Sequence, residues 1–165
     1  MKQLLLCRHA KSSWNNPTLA DIDRPLNKRG KRNAAIMGQR LARRGMVPDL
    51  ILTSPAKRAR KTAVRLCRGM TISKRVIRID AAIYDTDVSG LLKIIDKIDD
   101  SHNRVMLIGH NCELTLLANQ LAAVDIYNVP TCGIVGCSLA INSWQHTQQV
   151  PAELLFFDYP KKTEL

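Results

Sequence analysis

Short apolar runs that stop at charged or turn-forming residues constrain this chain more than any other feature. Leu4-Leu5-Leu6-Cys7 runs into Arg8-His9, and Leu50-Ile51-Leu52-Thr53 runs into Ser54-Pro55, with Arg58 three residues beyond the proline. Val105-Met106-Leu107-Ile108 runs into Gly109-His110-Asn111. Runs of this length, separated by stretches of helical periodicity, read as strands buried on both faces of a parallel sheet. In an open α/β sheet the ligand lies outside the carboxyl ends of the strands. Two arginines and two histidines are therefore expected in one crevice, although about a hundred residues separate them. The chain has only four histidines, so two of them at strand ends is more than composition would supply.

The segments between the runs predict helices. Asn27 is the expected cap of a helix reaching about Arg44, with Ala34, Met37, Leu41 and Ala42 on its apolar face and Gly45 at its end. Ser54-Pro55 reads as an N-cap and first helical residue, opening a helix that stops near Gly69. Val76 to Ile79 is a weaker strand. Ser89 is the expected cap of a helix bearing the stripe Leu91, Ile94, Ile95 and Ile98, and Leu114, Leu117, Ala118 and Leu121 mark another helix. Segments 133–141 and 152–158 read as a hairpin-like pair joined by a polar turn. Residues 10–26 form a polar loop long enough to suggest a function. The fold class that follows is α/β, a three-layer sandwich around a mostly parallel central sheet, with residues 1–165 as one domain and no substantial cap insertion.

Composition narrows the function classes. No apolar stretch approaches the ~20 residues that span a bilayer. Leu4-Leu5-Leu6-Cys7 resembles a lipoprotein cleavage box but lies too near the start to follow a signal peptide's apolar region of roughly 7–15 residues. The five cysteines are scattered and odd in number, which reads as reduced core thiols in a cytoplasmic protein. Cys132 and Cys137 lack the companion ligands of a zinc site, so neither metal nor cofactor is expected. Net charge is +11, and it is concentrated: Arg24 to Arg78 holds seventeen Lys/Arg against one acid, Asp49. Such a stretch attracts anions, whether nucleic acid, an acidic protein or a phosphorylated substrate. Nucleic acid is disfavoured, because none of the seven aromatic residues lies in that stretch to stack on bases.

The residue types suit phosphoryl transfer. Arginine presents a planar fork that fits phosphate oxygens and stays charged. Two arginines and a protonated histidine would neutralise the transferring group, and a neutral imidazole can act as nucleophile. Helix N-termini just after Ser54 and Gly109 would aim backbone N–H groups at the same anion. The P-loop pattern is absent, as is a carboxylate cluster suited to magnesium.

Leu4 to Ala10, Ser54 to Thr62 and Gly109-His110-Asn111 together resemble the signature segments of the histidine phosphatase superfamily, whose fold is shared by phosphoglycerate mutases and acid phosphatases. Arg8-His9-Ala10-Lys11-Ser12 with Asp23 to Gly30 is similar, more narrowly, to the short SixA-like phosphohistidine phosphatases. The resemblance implies a metal-independent phosphatase in which His9 is phosphorylated, Arg8 and Arg58 clamp the phosphate, and His110 stabilises the transferring group. It makes Asn15 a candidate phosphate contact. Arg24, in the long loop, is a candidate either for binding substrate or for tying that loop to the sheet. Asp85 falls near the place of the family's general acid, with a solvated or capping role as the alternative. Two departures, Ala10 for the usual glycine and Lys11 for the acid that follows it in the mutases, argue against a mutase. An imidazole leaving group, whose conjugate acid has a pKa of about 6.5, needs little help from an acid. The implied substrate is thus phosphohistidine on a protein, held in an open crevice that inorganic phosphate or another oxyanion can also occupy. A small phosphomonoester is the runner-up, and a basic nucleic-acid-binding module is the alternative of another class.

Overall fold

The apolar runs become the middle of a six-stranded sheet in the computed structural model, which describes residues 1–163. Its strands are β1 (Lys2–Arg8), β2 (Leu50–Thr53), β3 (Ile77–Ile79), β4 (Arg104–Gly109), β5 (Ile134–Leu139) and β6 (Glu153–Asp158), in the spatial order β3-β2-β4-β1-β5-β6. The first four strands are parallel, and β5 and β6 are antiparallel additions beside β1. Four helices cover the faces: α1 (Lys28–Arg43), α2 (Lys57–Met70), α3 (Val88–Asp96) and α4 (Glu113–Ala122).

Burial on both faces explains why the strands lack polar alternation. Leu4, Leu6, Leu52, Val105 and Leu107 pack against α3 and α4, while Leu5, Cys7, Ile51, Met106 and Ile108 pack against α1 and α2. Each fully buried leucine or isoleucine contributes about 2 kcal/mol of apolar transfer free energy, so a polar residue at any of these places would be costly. The α1–α2 pair approaches closely because it meets through glycines. A Cβ on Gly69 would stand 2.1 Å from the Ala35 carbonyl oxygen, and one on Gly38 would stand 2.4 Å from that of Leu66.

The sandwich and its strands match the expectation, and several boundaries do not. Asn27 caps α1 by accepting from the Gly30 N–H at 2.8 Å, and Gly45 ends it at φ 68°, as expected. Ala42, however, faces solvent, and Gly30 and Gly38 join the buried face instead. Ser54 does not cap α2, which starts three residues later behind Ala56; its hydroxyl accepts instead from Ala56 N–H at 3.2 Å, ahead of the helix, and bonds to His110. The same helix runs through Gly69 to a left-handed Thr71, since Gly69 serves helix contact rather than termination. The cap of α3 is Asp87, whose carboxylate accepts from Gly90 N–H at 2.8 Å, rather than Ser89. The stretch between β5 and β6 is no simple polar turn. It holds a 3-10 helix (Trp144–Gln149) that buries Trp144 completely against the α3–α4 side. Cys112 is exposed, whereas the other four cysteines fill the core. Among the described residues, no helix is long and apolar enough to cross a membrane.

Candidate active site

Strand register brings the signature residues together. Arg8 pairs with Gly109 across β1 and β4, and Thr53 pairs with Ile108 across β2 and β4. Two backbone bonds continue the ladder past the strand ends, His9 N–H to Gly109 O and Ser54 N–H to Ile108 O, each 3.1 Å. His9, His110 and Ser54 therefore emerge side by side. Arg58 reaches them from the first turn of α2. The Thr62 hydroxyl, one turn on, accepts from Ala10 N–H at 2.9 Å and donates to the Arg58 carbonyl at 2.7 Å. Ala10 is absent from the residues with positive φ, so it needs no glycine-only conformation.

Hydrogen bonds fix the histidine tautomers. His9 is buried, and its Nδ1 lies 2.7 Å from the Ala10 carbonyl oxygen, which can only accept. Nδ1 therefore carries the proton and Nε2 keeps its lone pair. Burial pushes the His9 pKa down to about 3; the bond to Ala10 opposes this, and His110, Arg58 and Arg8 add smaller downward contributions. The His110 ring centroid is 5.3 Å from that of His9. An Arg58 N–H points at His110 Nδ1 from 3.5 Å, so His110 Nε2 donates to Ser54 Oγ at 2.8 Å. Burial, then the Arg58 charge, lowers the His110 pKa to about 4. The sequence suggested a protonated histidine at this place. In the free site both rings are neutral, because desolvation and neighbouring guanidinium groups disfavour the cation.

The arginines are held differently. Arg8 donates from one terminal nitrogen to Val129 O at 3.1 Å, and its buried Nε has no hydrogen-bond partner among the described residues. A buried guanidinium donor without an acceptor suits an anion placed beside it. Arg58 is buried and donates to the Asp21 carbonyl at 2.7 Å and to the Asp21 carboxylate at 3.0 Å. Arg24 is also buried, and every partner it has lies in the long loop. It donates to the Ser12 hydroxyl, to Ser13 O at 3.3 Å and to the Asp21 carboxylate at 3.1 Å, and it lies over the exposed Trp14 ring. These contacts tie the loop to itself, and none of them reaches the sheet.

A cleft of about 450 Å³ opens beside His110 and Arg58, with Asp21, Tyr84, Asp85, Asn111 and Glu113 among its walls. Asp85 sits there exposed, at φ 55°, and caps no helix. Asn15 lies apart: it is exposed, outside the cleft walls, and among the described residues it bonds only through its backbone N–H to Ser13 Oγ. Three contributors escaped the sequence reading. Asp21 carries no periodic signal, although it and Asp23 are the only acids before Asp49. Ser54 looked like a cap, and Thr62 looked like one more position on a helix face. Among the described residues, no group of three or more His, Cys, Asp or Glu is placed to hold a metal ion.

Residues 4–87 match the sequence profile of the histidine phosphatase superfamily, branch 1. An uncharacterised chloroplastic protein of Arabidopsis thaliana is 33% identical over 152 residues, which is 87% of this chain and 69% of that one. Among solved structures, SixA of Agrobacterium tumefaciens, described provisionally as a phosphohistidine phosphatase, superposes with a TM-score of 0.81 at 28% identity, covering 96% of this chain and 98% of its own. A protein histidine phosphatase SixA complexed with tungstate shares the fold at 17% identity, with a TM-score of 0.80 over 96% of this chain and 97% of its own.

Proposed function

We propose, from the premise that this chain belongs to the histidine phosphatase superfamily and is a phosphatase, that its substrate is phosphohistidine displayed on a protein. The observation that carries this reading is the open cleft beside His110 and Arg58. Its walls include half-exposed and exposed side chains rather than a cover, which suits a ring carried on a large partner. Likeness to the Agrobacterium SixA protein over nearly the whole of both chains supports the same choice.

The reaction runs in two displacements. His9 Nε2 attacks phosphorus; the bond from phosphorus to the substrate ring nitrogen breaks, and its electron pair returns to that ring. Arg8, Arg58 and His110 hold the phosphoryl oxygens. Their fixed donors stabilise charge without reorganising when the bond breaks. The incoming anion favours the charged form of His110, which its neighbours otherwise disfavour. Water then attacks the phosphorus on His9, the P–N bond breaks towards the ring, and phosphate leaves. The basic stretch from Arg24 to Arg78 steers an acidic phosphoprotein towards this mouth.

The test compares a phosphohistidine-bearing protein with a panel of sugar, nucleotide and amino-acid phosphomonoesters. A kcat/KM at least about tenfold higher on the phosphoprotein is expected. A higher value on any small phosphomonoester would overturn the substrate assignment.

A further inference from the structure

Among the described residues, Asp21 is the one acid that touches the clamp, and it is held as an acceptor. Its Oδ2 receives the Tyr84 hydroxyl at 2.6 Å and an Arg58 N–H at 3.0 Å, and its Oδ1 receives an Arg24 N–H at 3.1 Å. A carboxylate offers about four lone-pair sites, so these three donors leave room for another on Oδ1. The side chain is 50% exposed and faces the cleft that His110 also lines. Its contact with Arg58 does not depend on the carboxylate alone, because the Asp21 backbone carbonyl already accepts the other Arg58 nitrogen at 2.7 Å. A carboxylate kept half open to a binding cleft is more than a prop for the arginine.

The chemistry of the bond to be broken says what such a group can do. When the second ring nitrogen of phosphohistidine carries a proton, the ring departs as neutral imidazole. Without that proton it departs as an anion and leaves poorly. We propose that Asp21 selects phosphohistidine by accepting the N–H of the substrate ring nitrogen that does not carry the phosphoryl group. This rests on the function proposed above. The proton stays on the ring throughout; the electron pair of the broken P–N bond goes to the other nitrogen, and the product is neutral histidine. The carboxylate raises the ring's proton affinity by its fixed negative charge.

Donors facing Asp21 keep it charged. The donors that do so are Tyr84 from the segment after β3, Arg58 from α2 and Arg24 from the same loop, while neutral His110 after β4 and the Asp85 carboxylate on the Tyr84 side also face it. The Tyr84 hydroxyl foremost, with Arg58 behind it, lowers the Asp21 pKa to about 2. Such a group cannot protonate an alkoxide near neutral pH. The feature that favours an imidazole leaving group therefore gives no help to a phosphomonoester.

The experiment measures kcat/KM on phosphohistidine and on p-nitrophenyl phosphate for the wild-type protein and for Asp21→Asn. Both values are expected to fall, since Asp21 also holds Arg58, but the ratio should drop by about tenfold or more. The alkaline limb of the phosphohistidine profile should also move down by about one pH unit. Because both substrates are assayed on one preparation, any misfolded fraction cancels from the ratio; Asp21→Ser carries the same test if Asp21→Asn does not fold. Equal losses on both substrates, or a ratio that drops in Asp85→Asn instead, would overturn the assignment. A wild-type protein with no preference for phosphohistidine defeats the functional reading itself, whereas a preference that survives in Asp21→Asn defeats only the role of Asp21.

Discussion

His9 and His110 stand on strand ends locked into the sheet, whereas Asp21 and Arg24 stand on a loop that mostly bonds to itself. Ser13 N–H bonds to Pro25 O at 2.8 Å, Asn27 N–H to Lys11 O at 3.0 Å, and Arg24 to Ser12, Ser13 and Asp21. The two regions control protonation in opposite ways. On the strand side, burial strips protons from the imidazoles, with pKa values pushed to about 3 and about 4. On the loop side, an exposed carboxylate is kept ionised by donors rather than by water, at about 2. The difference teaches a division of labour: the sheet supplies uncharged imidazoles, and the loop supplies fixed charge beside them. Among the described residues, Arg58 is the only side chain bonded to both Asp21 and His110.

That contrast breaks most sharply at His9. His9→Ala should lower turnover by about four orders of magnitude or more and abolish acid-labile labelling of the protein by a phosphorylated substrate. An equal loss in Arg24→Ala would show that the loop performs chemistry as well, and the contrast would fail. Arg58→Ala comes next, with an expected loss of about 10²–10³ in kcat/KM, measured on whichever substrate is best. A loss no larger than about threefold would mean that Arg58 serves the loop and not the phosphate.

The strand ends were readable because a strand advertises itself locally. Leu4 to Cys7 and Val105 to Ile108 are apolar without interruption, and their first polar successors must emerge at the sheet edge. Nothing local reveals that Ser54 also receives a bond from His110, 56 residues on. Nor does the sequence around Asp21 foretell a partner in Tyr84, 63 residues away. Trp144 was hidden for a related reason: a lone aromatic in a polar stretch has no periodicity, and only the fold shows that it fills the α3–α4 side. Residues whose role depends on a distant partner are those that pattern reading loses.

Acid stability sharpens the strand side further. Both histidines bind their proton more weakly in the folded protein than in the unfolded chain. The unfolded chain therefore takes up more protons, and stability falls as pH drops from about 6.5 towards the folded values, with no pull above 6.5. The expected slope is about 1.4 kcal/mol per pH unit for each histidine. Urea unfolding at pH near 7 and near 5 measures it, and His110→Asn should remove about half the slope attributable to the pair. A wild-type midpoint that does not move over that range would contradict the buried neutral rings. The smallest effect is expected at Asn15, which lies outside the cleft: Asn15→Ala should change kcat/KM by less than about threefold. A larger loss would place Asn15 on the phosphate after all.

One threonine gives the site its rigidity. By bonding at once to the backbone behind His9 and to the backbone of Arg58, Thr62 ties the nucleophile's strand to the helix of the clamp through a single oxygen atom. The spacing between attacker and anchor is thus settled when the chain folds and not when a ligand arrives. In the proposed reaction such a device works as a gauge, matched to a tetrahedral oxyanion of fixed size. Discrimination among phosphorylated compounds then falls to the residues around the cleft.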